Sequence, residues 1–266
     1  MSPLALIGLD WALMAVAMFL LWRWQLRTGE ADGVDLGWTV GLGLAALLYA
    51  TGLDRGLPAR RLLVAALAVL WSGRLALHLW ERVRTPGEDG RYARLRAEWG
   101  HDAPWRFFRF YQIQALSVPL LAGQFMLAML HPAGELRLWD GLGALIVLVS
   151  IGGEALADRQ LAAWKRDPAN RGRTCRRGLW RYSRHPNYFF EWLHWLGYSV
   201  IAVGWAWWPA TLIVPAIMYV LVRFVTGIPP TEAQSVRSRG EDYRKYQRTT
   251  NAFFPGPPRE DPRATS

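Results

Sequence analysis

Residues Leu138–Ala163 read LWDGLGALIVLVSIGGEALADRQLAA. The run is long and apolar enough to cross a bilayer core, which takes about 20 residues of helix. Lipid offers the backbone no hydrogen-bond partners, so such a run has to be helical. Two of its three carboxylates, Glu154 and Asp158, stand four residues apart and therefore share one helix face. An ionisable group inside a membrane helix is costly, and each one marks a functional candidate. Two questions follow: how many such runs the chain holds, and what its intramembrane polarity is for.

Working outward, seven blocks qualify: Pro3–Trp22, Leu36–Leu53, Leu62–Trp80, Phe107–Leu130, Leu138–Ala163, Tyr188–Trp208 and Ala210–Ile228. No Lys or Arg precedes the first block and no clean small-residue cleavage site follows it, so it does not read as a signal peptide. Only Trp207–Trp208–Pro209 separates the last two, which predicts a tight antiparallel pair. Many of the 16 tryptophans stand near block ends, as an interfacial aromatic belt would place them. The fold class is all-α, a polytopic membrane bundle of about seven helices. Residues 1–254 form one membrane domain, with its cofactor half from about 74 to 254. The proline- and charge-rich stretch 255–266 reads as a short loose tail.

Net charge is +10. Nine basic residues lie between Arg159 and Arg184 against one acid, Asp167, and both the Arg82–Arg109 loop and the chain after Arg223 are strongly basic. The connections between blocks four and five and between six and seven are nearly free of basic residues. Positive charge marks the cytoplasmic side, so the amino terminus is expected outside and the carboxyl terminus inside. Arg55, Arg60 and Arg61 dissent, because they fall on the outer side. No nucleic-acid module is present, and some of the basic residues are expected to contact anionic lipid. The single cysteine, Cys175, rules out a disulfide framework, no metal-ligand cluster exists, and nothing calls for an obligate protein partner.

Three polar pairs at helical spacing fall on three blocks: Arg74 with His78, Glu154 with Asp158, and Asn187 with Glu191. Each is expected to face inward, lining a polar chamber in the cytoplasmic half of the bundle. Structural ion pairing between helices would explain any one pair, but it explains the set less well. Asp10 stands alone near a block end, Gln112 and Gln114 read as interhelical amides, and His194 as a core histidine.

The segment Gly178–Trp192, GLWRYSRHPNYFFEW, opens the sixth block. Pro186 suits the first position of a helix, whose free N–H groups make an anion site. Arg184 and His185 add charge beside it, with Arg173, Arg176, Arg177 and Arg181 upstream, and guanidinium groups bind phosphate bidentately. Asn187 and Glu191 suit neutral hydroxyl or carboxamide groups. A ligand with one anionic and one neutral end is implied, as in a dinucleotide. No Gly-x-Gly-x-x-Gly motif opens a βαβ unit, so a Rossmann site is absent.

Gly178–Tyr198 (GLWRYSRHPNYFFEWLHWLGY), Gly153–Gly172 (GEALADRQLAAWKRDPANRG) and Trp71–Gly100 (WSGRLALHLWERVRTPGEDGRYARLRAEWG) together resemble membrane proteins of the DUF1295 family, related to the catalytic region of steroid 5α-reductases. The likeness runs from about Asp35 to Pro255. It implies an integral-membrane reductase of an activated C=C bond in a lipophilic, steroid-like or isoprenoid substrate drawn from the bilayer, and a bacterial inner-membrane location. NADPH is the implied cofactor, contacted by Arg74, Asp158, Lys165, Arg173, Asn187 and Glu191. Glu232, Arg237, Tyr243 and Tyr246 occupy the corresponding tail region, and Arg91 and Tyr92 the cytoplasmic wall. The chain lacks the Gln–Glu pair and the tyrosine that polarise the steroid ketone in those enzymes. Asp35 and Glu191 are the candidate catalytic acids in their stead. The RHPxY element is also similar to membrane methyltransferases of the isoprenylcysteine type, which use S-adenosylmethionine. A non-enzymatic lipid-binding protein is the third alternative.

Overall fold

A computed structural model describes residues 1–84 and 87–261, and within them every regular element is helical. In chain order the α-helices are α1 (Pro3–Thr28), α2 (Gly33–Gly52), α3 (Pro58–Val83), α4 (Gly90–Trp99), α5 (Ala103–Met129), α6 (Leu138–Arg166), α7 (Pro186–Ile201), α8 (Ile213–Val220), α9 (Ile228–Arg239) and α10 (Glu241–Thr249). The chain is an all-helical membrane protein. Six helical segments are long and apolar enough to cross a bilayer: Pro3–Thr28, Gly33–Gly52, Pro58–Val83, Gly90–Met129, Leu138–Arg166 and Trp208–Arg239. The sixth apolar block forms α7, whose 16 residues fall short of a full span. Its apolar continuation, Ala202–Trp207, leaves the helix.

The chain divides into two compact units, Met1–Gly141 with Ile201–Trp208, and Leu142–Val200 with Pro209–Ser266. The first is built on α1, α2, α3 and α5, which bury Leu42, Tyr49, Ala68, Trp71, Phe107 and Phe125 between them. Asp10 is 3% exposed and accepts the Tyr49 hydroxyl at 2.6 Å, which joins α1 to α2. Gln112 donates to the Ala15 carbonyl and so joins α5 to α1.

Arg60, one of the dissenting cations, is fully buried. Its Nε donates to Asp140 Oδ1 at 2.6 Å, and its two terminal nitrogens reach Asp140 Oδ2 and the carbonyls of His131, Ala133 and Glu135. Arg137 adds donors to the Ile201 and Val203 carbonyls. A guanidinium in this position satisfies backbone acceptors that lipid would leave bare, so its charge serves packing rather than orientation.

In the second unit α6 and α7 pack closely because two positions lack a side chain. A Cβ on Gly153 would collide with the Phe190 ring, and one on Gly197 would meet Val147 and the Gly143 carbonyl. Trp180 Nε1 donates to the Ala157 carbonyl at 2.9 Å and fixes the preceding turn onto α6. Phe253, 2% exposed, inserts among Phe189, Trp192 and Tyr219. The stretch expected to be a loose tail from Pro255 is tied down as far as Asp261. Gly256 N–H donates to the Tyr182 carbonyl, Arg259 N–H to the Thr249 carbonyl, and Arg248 Nε to Asp261 at 3.0 Å.

Candidate functional site

The site grows from the turn that starts α7. Pro186 is its first helical residue, and Phe189 N–H bonds the His185 carbonyl at 3.1 Å. Ser183 steadies the entry by accepting His185 N–H and donating to the Phe253 carbonyl. From this platform Asn187 faces α6, where its amide donates to Asp158 Oδ1 at 3.4 Å. One turn on, half-buried Glu191 accepts Trp195 Nε1 at 3.3 Å. Asp158 and Asn187 therefore meet between α6 and α7, whereas Glu154 and Glu191 line neither of the chambers that open beside the α7 start. The Arg74–His78 pair does not hold together: Arg74 is half-buried in the first unit but His78 is exposed.

Two adjoining chambers, together the groove, open beside the α7 start, both lined wholly by the second unit. The first, about 310 Å³, is walled by Asn187, Tyr188, His185 and Arg184, by Thr231, Gln234, Ser235 and Ser238 of α9, and by Tyr243 and Tyr246 of α10. The second, about 240 Å³, is walled by Trp164, Arg166, Asp167, Asn170, Arg171 and Arg173. Leu161, Lys165, Cys175 and Arg239 border both. A concave pocket in which a few polar groups converge is the usual form of a small-molecule site, and these walls are more polar than most.

Charge within the groove is sorted. Arg184 Nε donates to Glu232 Oε1 at 2.6 Å, and its Nη1 reaches the Gln247 and Thr250 carbonyls. His185 Nε2 meets the same Glu232 oxygen at 3.2 Å, and Gln247 donates to Oε2 at 2.8 Å. Glu232 is thus a hub tying α9 to the α7 start and to α10, and it stands outside the groove lining. Arg176 is likewise engaged, with Asp242 at 2.9 Å. In contrast, Lys165, Arg171, Arg173 and Arg239 face the groove with no carboxylate at ion-pair distance among the described residues. Uncompensated cations lining a concave wall attract an anionic ligand.

Burial pushes the His185 imidazole below its ordinary value, opposed by its Glu232 hydrogen bond. Burial also raises the Cys175 thiol and the Tyr243 and Tyr246 phenols, so all three stay protonated near neutral pH. Tyr246 donates to the Trp180 and Ser183 carbonyls and holds the turn that carries Arg184.

Of the residues singled out in the sequence, Lys165, Arg173, Arg184, His185, Asn187, Tyr243 and Tyr246 line the groove, and Asp158 sits against Asn187. Glu191 lies one helical turn beyond Asn187. Arg237 is exposed on α9 and lines neither chamber, whereas Arg239, two residues on, lines both. Arg74, Arg91, Tyr92 and Asp35 belong to the first unit. There Asp35 accepts the Tyr92 hydroxyl at 2.6 Å, Arg82 Nη2 at 2.7 Å and Arg91 Nη2 at 3.0 Å, a knot that joins α2, α3 and α4. Sequence reasoning missed Arg239, Thr174 and the hydroxyl row Thr231, Ser235 and Ser238. That row had a readable signal, since its spacing is helical.

The chain belongs to the DUF1295 family, described as a protein family of unknown function, whose sequence model matches residues 21–250. It is 30% identical over 209 residues to an uncharacterized protein of the yeast Schizosaccharomyces pombe. That stretch is 67% of this chain and 59% of the relative, so the chain spans less than two thirds of the relative's length. No solved structure matches the chain.

Proposed function

We propose that this DUF1295 protein is an NADPH-dependent reductase of a C=C bond in a lipophilic substrate, with the dinucleotide seated in the groove of the second unit. One observation carries the reading: two adjoining chambers that share Lys165 and Arg239 have an amide beside a carboxylate at one end, Asn187 with Asp158, and at the other Arg171 and Arg173, with no carboxylate at ion-pair distance among the described residues. The residues fit the group, because the buried Thr174 hydroxyl and the uncompensated cations are left wanting the oxygens that a phosphorylated nucleotide supplies. The resemblance to steroid 5α-reductases supports the same assignment.

In this reading Asn187 and Glu191 orient the carboxamide end. Arg171 and Arg173 neutralise the phosphates with charge-assisted bonds. Bound there, the nicotinamide would supply a hydride. The basic loops face the cytoplasm, from which the cofactor enters, and the substrate arrives laterally from the bilayer. Trp195 donates to Glu191 at 3.3 Å and holds that carboxylate in place.

Titration of the detergent-purified protein, following nicotinamide fluorescence, tests the reading. Saturable NADPH binding is expected. Arg173→Ala and Asn187→Ala each raise Kd about tenfold or more, the worth of a hydrogen bond to a charged or buried group. Absent NADPH binding sinks the proposal, and tight binding of S-adenosylmethionine alone would put a methyltransferase in its place.

A further inference from the structure

The waist, the wall of residues that borders both chambers, includes Arg239, with Thr174 beside it, and neither the resemblance nor the α7 motif covers these two. Lys165 of α6 and Arg239 at the end of α9 both belong to the waist, close enough to act on one another electrostatically. The Asp158 carboxylate reaches Lys165 only at longer range, and Asp242 is taken by Arg176 and by the Thr174 N–H. Two like charges held together without a counter-ion raise the energy of the empty protein, and a bound anion relieves it. Thr174 supplies the second, independent sign. It is 5% exposed and lines the first chamber, and its Oγ1 makes no hydrogen bond among the described residues. A buried hydroxyl left without a partner costs about 1–3 kcal/mol, so its acceptor or donor is expected to come from a ligand.

Resting on the dinucleotide reading, we infer that the waist is a diphosphate site in which Arg239 and Thr174 join Lys165 in gripping the bridge between the two halves of the ligand. The topology fits this ligand class. Lys165 and Arg239 line both chambers, so a ligand with one end in each places its linking group beside these cations. A ligand without phosphate leaves Lys165 and Arg239 mutually repelling, so the waist also selects against S-adenosylmethionine.

Calorimetric titration of the whole protein with inorganic pyrophosphate and with NADPH provides the test, with Cys175 as an internal reporter. It is the only cysteine and it borders the waist, so methyl methanethiosulfonate labelling followed by intact mass reads occupancy there. Pyrophosphate is expected to bind, to compete with NADPH and to slow labelling about tenfold at ten times its Kd. Arg239→Gln raises both dissociation constants about tenfold to a hundredfold, as loss of a charge-assisted bond should. Arg239→Lys recovers part of the loss, and Thr174→Val weakens both ligands while Thr174→Ser does not. Arg244→Gln, an exposed charge on α10 outside the groove, changes neither. NADPH binding that is indifferent to pyrophosphate and to Arg239→Gln overturns the waist assignment and leaves the dinucleotide reading standing. Pyrophosphate binding without NADPH binding supports the waist and removes the dinucleotide reading. If neither ligand binds, the waist assignment fails.

Discussion

Arg184 donates from Nε to Glu232 Oε1 across 2.6 Å, and the two side chains keep only 11% and 14% of their exposure. This contact turns an arginine that reads as a phosphate ligand into a strut. Its Nη1 is committed as well, to the carbonyls of Gln247 and Thr250. Glu232→Ala therefore strands Arg184 and His185 in a poorly hydrated pocket. A loss of about 3–5 kcal/mol is expected for breaking a buried pair from one side. Thermal unfolding in detergent should show a clearly lowered midpoint, and an unchanged midpoint would remove the strut.

His185 makes the same region sensitive to acid. Its imidazole titrates below the ordinary value because it is buried, so the unfolded chain takes up a proton at a higher pH than the folded one. The unfolded state binds more protons in that window, and stability falls as pH drops below about 6.5. His131, shifted in the same direction by burial, adds to the slope. His185→Gln should flatten the dependence by at most about 1.4 kcal/mol per pH unit while the His131 share remains. Unfolding midpoints from pH 7.5 to 5, compared between wild type and variant, measure it.

Arg60 is the other buried strut. Arg60→Met removes five donor contacts from Asp140 and three carbonyls and leaves the buried Asp140 carboxylate with Arg137 alone. About 3–5 kcal/mol of destabilisation is expected. Asp140→Asn keeps an acceptor for Arg60 and should cost less. Equal melting temperatures for wild type and Arg60→Met would rule out the anchor.

Close approach of α6 and α7 depends on Gly153. Gly153→Ala places a methyl group against Phe190 and should cost about 1–3 kcal/mol, the range for overpacking. Gly153→Ala combined with Phe190→Leu should recover part of the loss, because the colliding ring is gone. Additive losses in the double variant would show that the two positions do not touch.

Much of the architecture was legible because a bilayer imposes one answer on an apolar run. The α6 block, the Pro186 helix start, and the inward Glu154–Asp158 and Asn187–Glu191 pairs all follow from spacing and from the cost of bare polarity in lipid. Hydropathy failed where a block's apolar length exceeded its helix. Tyr188–Trp208 read as one span, yet α7 stops at Ile201, since apolarity marks burial and not the point at which backbone dihedrals leave the helix.

Charge was the harder text. Sequence sets how many arginines a loop carries, but each one's role depends on which carboxylates and carbonyls the folded chain brings within about 3 Å, and Coulomb energy in a low dielectric falls steeply with that distance. Arg184 and Arg173 look alike in the one-letter code. Folding gave Arg184 a half-buried carboxylate and two carbonyls, and left Arg173 facing a groove. The sequence alone determined that helices cross a membrane and carry polarity inward. Which cations stayed open to a ligand was decided by tertiary structure, because partners distant in the chain, such as Glu232 for Arg184, meet only once α9 has packed against the start of α7.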